Sequence, residues 1–132
     1  MDREALVTEH FTADLEAGGR AVVEGLDAAN VPVSAAFWLL ATGESSWRLV
    51  LASPLVAARG PRAFYRKVDK VLRRLAPPTV RLDAIDAAPP SHKMVSLLRG
   101  AVHTGPGLGG IRFMGNAIKG VLIPDAYIYR MR

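Results

Sequence analysis

A chain of 132 residues, half of them apolar, is one domain's worth of protein and can bury a core without metals or disulfides, which excludes disorder, collagen-like repeats and disulfide scaffolds. The absence of cysteine removes thiol nucleophiles, cysteine-bound zinc and iron–sulfur clusters. The net charge of +5 conceals a split, because residues 1–47 carry two basic and eight acidic side chains while residues 48–132 carry fifteen basic and four acidic.

From Arg3 to about Leu26, Val7, Phe11, Leu15, Gly18, Val22 and Leu26 recur at three- and four-residue steps, the period of one buried helical stripe. Glu4, Glu9, Asp14, Glu16 and Glu24 are spread over the rest of this first helix, and Gly18-Gly19 predicts a bend or a close approach within it. Asp27 to Pro32 ends it.

Val33 to Leu40 and Trp47 to Ser53 are rich in β-branched and aromatic residues and flank a polar turn, which predicts a hairpin. In its second strand Trp47, Leu49 and Leu51 share one face, and Arg48, Val50 and Ala52 the other. The first strand is apolar on both faces, so it is expected to lie centrally with two covers, the second supplied by another subunit. On that reading Trp38, Leu40, Val50, Tyr127 and Tyr129 form an interaction surface.

Pro61 opens a second helix whose apolar stripe is Phe64, Val68, Val71, Leu72 and Leu75. Its other side is Arg62, Arg66, Lys67, Lys70, Arg73 and Arg74, with Asp69 as the sole acid. Pro77-Pro78 ends it, and Thr79 to Ile85 reads as a short strand. Ser91 is the expected N-cap of a helix from His92 to Val102. A glycine-rich loop follows, with Gly105 as a left-handed cap, then strands over Ile111–Met114, Gly120–Ile123 and Ala126–Tyr129, with Pro124-Asp125 as a bulge, a turn or an edge feature. Strict alternation would set Tyr127 and Tyr129 on one face of the last strand and Ile128 and Arg130 on the other.

The order α-β-β-α-β-α-β-β predicts a single-domain α+β fold over residues 1–132, a mainly antiparallel sheet of about five strands with helices mostly on one face. No stretch approaches the ~18–20 apolar residues of a membrane span, and the N-terminus lacks the pattern of a secretion signal, so the cytoplasm is the expected location. The preference for alanine, and for arginine over lysine, suggests a GC-rich bacterial genome.

Few residues offer chemistry. Gly105 to Gly110 matches G-x-G-x-x-G, but it follows a helix and opens a strand, the reverse of a dinucleotide site. An anion nest flanked by Arg99 and Arg112 is the remaining use for it. His92 and His103 are eleven residues apart, ~16 Å along a helix, and cannot share a metal. Asp83 and Asp86 read as solvated loop acids. No catalytic, metal-binding or cofactor motif is present, and no cofactor is implied.

The most specific feature is the run from Arg59 to Arg81, eight cations against Asp69. Such density suits a polyanion such as nucleic acid, with Arg62, Arg66, Lys67, Lys70, Arg73, Arg74 and Arg112 as the contacts. The expectation is a small non-enzymatic binding protein. Two alternatives stand beside it: an assembly subunit, as a homodimer, in which the acidic and basic helices neutralise each other, and a small-ligand enzyme using the glycine loop with His92, His103 and Arg112.

Overall fold

The computed structural model describes residues 10–77 and 79–132. The fold is α+β, and its elements are α1 (Ala13–Ala28), β1 (Ala35–Leu40), β2 (Arg48–Ala52), α2 (Pro54–Arg59), α3 (Pro61–Leu72), β3 (Ile85–Ala88), α4 (Lys93–Ala101), β4 (Ile111–Ile118) and β5 (Val121–Met131). The strands form one sheet in the order β3-β2-β1-β5-β4, with every neighbouring pair antiparallel except β2 and β3.

β1 holds the middle of the sheet, and its two apolar faces have different covers. Ala36 and Trp38 join Leu49, Leu51, Phe64, Val68 and Tyr129 in the cluster beneath α1, α2 and α3. Ala35, Phe37 and Leu39 join Val50, Ala52, Val95, Leu98 and Ile128 in the cluster beneath α4. The second cover expected from another subunit is therefore supplied by α4 of the same chain. Trp38, Val50 and Tyr129 are buried within the chain, so they present no surface to a partner.

Helix α1 starts at Ala13, because Thr12 is extended and its hydroxyl accepts from the Leu15 amide at 3.1 Å. Phe11 thus lies ahead of the helix, while Val7 and the start expected at Arg3 lie outside the described residues. The close approach expected at Gly18-Gly19 is present. A Cβ on Gly19 would sit 2.4 Å from the Tyr129 hydroxyl and 2.5 Å from Trp38 Nε1.

The connection from β2 to β3 differs most from expectation. Ser53 caps a short helix, α2, with Pro54 in its first turn, a start signal that the sequence reading took for the end of the hairpin. Gly60, at φ 86°, turns directly from α2 into α3. The strand expected at Thr79–Ile85 lies further on, at Ile85–Ala88, behind a single 3-10 turn at Leu82–Ala84. It runs parallel to β2, as the long helical crossover permits.

Three local details also depart from the sequence reading. His92, not Ser91, caps α4, its Nδ1 accepting from the Met94 amide at 3.2 Å. The helix ends on Val102 in an extended conformation, and Gly105 is not left-handed. Pro124-Asp125 is neither a bulge nor a turn that divides β5 but an edge feature, since β1 ends opposite Asp125 and asks no hydrogen bond of Pro124.

The register of β5 shifts beside Ala36, which pairs with Arg130 while Phe37 pairs with Ile128. Tyr129 is the extra residue of a β-bulge, and alternation is broken there. Arg130 consequently reaches α1, where it grips Asp27 through contacts of 3.0 and 2.7 Å.

Candidate nucleic-acid interface

Helix α3 is fixed to the protein along its inner side. Phe64, Val68 and Val71 are buried there, and the half-buried Tyr65 accepts from the Ala87 amide at 2.8 Å and donates to the Ile85 carbonyl at 3.2 Å. A Cβ on Gly25 of α1 would stand 2.5 Å from Val71 Cγ1, so the two helices meet through apolar surface.

The outer side is cationic. Arg62, Arg66, Lys67, Lys70, Arg73 and Arg74 are all exposed. Arg73 pairs with Asp69 at 3.0 Å one turn away. Among the described residues, the other five have no carboxylate within ion-pair distance.

Mutual neutralisation by α1 would require its acids to reach α3. Glu16 instead pairs with Arg20 of its own helix at 2.7 Å, and Asp27 pairs with Arg130 at 2.7 Å. No ion pair among the described residues joins α1 to α3. Between the end of α1 and α3 lie two adjoining hollows of about 210 and 160 Å³, which share Ala29, Val71 and Arg74, and Lys67 and Lys70 line the smaller one.

Arg112 does not belong to this surface. Its guanidinium makes two 2.6 Å contacts with Asp125 and lies over the rings of Phe11 and Trp47, 5.3 and 5.7 Å from their centroids. It closes an aromatic cluster in which Phe11 stacks on Tyr127 at 4.8 Å. The hydroxyl of Tyr127 donates to Glu16 at 3.2 Å, and Leu40 is half-buried against the same core.

The glycine loop is occupied by the sheet. The Thr104 and Gly109 amides donate to the Met131 and Tyr129 carbonyls at 2.8 Å, extending the hydrogen bonding along β5. Arg99 donates to the Arg132 and Pro90 carbonyls. The flanking arginines and the Thr104 and Gly109 amides are thus committed, which leaves the anion-nest reading with fewer donors than the sequence suggests.

The largest concavity, about 700 Å³ and wide open, is lined by Arg48, Tyr65, Arg81, Leu82, Asp83, Ile85 and Asp86. Its charges cancel in pairs, Arg48 with Asp86 at 2.6 Å and Arg81 with Asp83 at 3.0 Å. The hydrogen bond from Arg81 holds the Asp83 carboxyl below its usual range. A carboxylate so held is poorly placed to take a proton from a substrate. Sequence spacing gave no sign of this cleft, because Arg48 and Asp86 meet only through the β2–β3 pairing.

His92 is spent on its cap, and His103 is exposed. Neither lines the three hollows described above. Among the described residues no three histidine or acidic side chains converge on a metal position, and no helix is long and apolar enough to cross a membrane. No protein-family model, curated protein or solved structure matches the chain.

Proposed function

We propose that this chain is a non-enzymatic, cytoplasmic binding protein whose α3 face contacts the phosphate backbone of a nucleic acid. One observation carries the reading: five of the six cations on that face have no carboxylate partner among the described residues, although an acidic helix packs alongside. Unpaired Lys and Arg displace condensed counterions from a polyphosphate, and the released ions drive salt-sensitive association. The test is retention of labelled nucleic acid over a salt series, with the triple variant Arg66→Gln, Lys70→Gln, Arg74→Gln beside the parent chain. Binding that weakens steeply with salt and is lost in the variant is expected. No retention at low ionic strength, or retention on anionic vesicles alone, overturns the proposal.

A second reading, assembly with a protein partner, draws on Ile111 and Leu122, which are 39 and 52% exposed on β4 and β5. Salt-insensitive self-association or hetero-association without nucleic-acid affinity, seen by sedimentation, favours it over the first.

A further inference from the structure

We infer that the nucleic acid bound by α3 is double-stranded and is held by its backbone without regard to base sequence. The inference rests on the nucleic-acid reading above and names the form of the ligand.

Single strands are bound by a cationic groove combined with aromatic platforms on which successive bases stack. This surface has the charge but no platform. The chain has two tryptophans, three tyrosines and four phenylalanines, and none of the nine is exposed. Trp38, Trp47, Phe37, Phe64 and Tyr129 are buried in the core. Tyr65 is tied to β3 by its hydroxyl, and Phe11 and Tyr127 stack on each other. Phe113 packs against the α4-side core. No exposed ring accompanies the cations of this face.

The geometry of the cations suits a stiff, regular partner. Arg62, Arg66, Lys70 and Arg74 step by four along α3 and the turn after it, with Lys67 and Arg73 beside them. At 1.5 Å per residue this row spans ~18 Å. A duplex offers one phosphate charge per ~1.7 Å of axis, or about five on each strand over that length. The row is anchored by Phe64, Val68 and Val71, so the spacing of its helix positions is set before any ligand arrives.

Base readout has little to work with. Segment Pro61–Leu72 contains no Asn, Gln, Ser or Thr, so adenine edges find no amide or hydroxyl partner there, and guanine is left as the base its Arg and Lys side chains pair with. The four cations of α3 and the two that follow it therefore act mainly on the backbone, and guanine is the one base that they are equipped to read.

The experiment measures equilibrium binding of the full chain to a labelled duplex and to each of its separated strands, in two unrelated sequences, as DNA and as RNA. Expected is a duplex bound about tenfold more tightly than either strand, with equal affinity for both sequences and a slope of log K against log salt of about −4. Lys70→Gln is expected to reduce that slope by about 0.9, whereas Lys93→Gln, which removes the same charge from α4 across the sheet, leaves it unchanged. Binding confined to the DNA or the RNA duplex identifies the source and supports the inference. Equal or tighter binding of the single strands, or strong sequence preference, overturns it while the nucleic-acid reading survives. Loss of binding to every form removes that reading instead.

Discussion

The hydroxyl of Tyr129 donates a 2.6 Å hydrogen bond to the main-chain carbonyl of Glu16, and Trp38 Nε1 donates to the same hydroxyl at 3.0 Å. The sheet thereby bonds directly to the backbone of α1, which is accessible because Gly19 has no side chain. This junction fixes where the acidic helix lies and hence which of its charges can reach α3.

Gly19→Ala is expected to destabilise the fold by about 1–3 kcal/mol, the usual range for overpacking, despite the better helix propensity of alanine. Gly100→Ala in α4 meets nothing within 4 Å and is expected to stabilise by up to about 1 kcal/mol. Urea unfolding of both variants checks the opposite signs.

The Asp27–Arg130 pair is asymmetric, since the arginine side chain is 4% exposed and the aspartate 40%. Asp27→Ala strands a buried cation and is expected to cost about 3 kcal/mol, the low end for broken buried pairs because water reaches the aspartate site. Arg130→Met removes the charge together with a buried Nε that has no hydrogen-bond partner, and is expected to cost less than Asp27→Ala. Chemical denaturation of the two single variants decides the order.

Burial, with a contribution from the Glu16 carboxylate, pushes the Tyr129 hydroxyl well above its ordinary value, and Tyr127 is raised for the same reasons. The folded state therefore holds these protons more tightly than the unfolded chain. Their contribution to stability is complete below about pH 10, the unfolded value, and declines as pH rises toward the folded values. Unfolding free energy measured from pH 8 to 11, alongside tyrosinate absorbance, should fall with pH in the parent chain and fall less in Tyr129→Phe.

Much of the fold was legible where one periodicity acted alone. The stripe of Phe64, Val68 and Val71 marked α3, and the alternation of Leu49 and Leu51 against Val50 and Ala52 marked both faces of β2. The reading failed where two signals competed. Ser53-Pro54 can end a strand or start a helix, and Ala87 and Ala88 are too small to announce β3. The side chain of Arg130 was assigned to the wrong face because a bulge leaves no mark in an alternating stretch. For the candidate site, the cationic face of α3 was plain in the spacing of its residues. The commitment of Arg112 to Asp125 was not, because it depends on the β4–β5 register.

The neighbour of β1 on one side is β2, a few residues away in the chain, but on the other it is β5, where Ala35 meets Met131. Closing that seam brings together positions separated by most of the sequence, and pairings of such range form slowly. A translation product that stops before Val121 would carry a greasy central strand with one open flank, ready to recruit a like strand from another molecule. Truncated forms of this protein should therefore aggregate and not merely unfold.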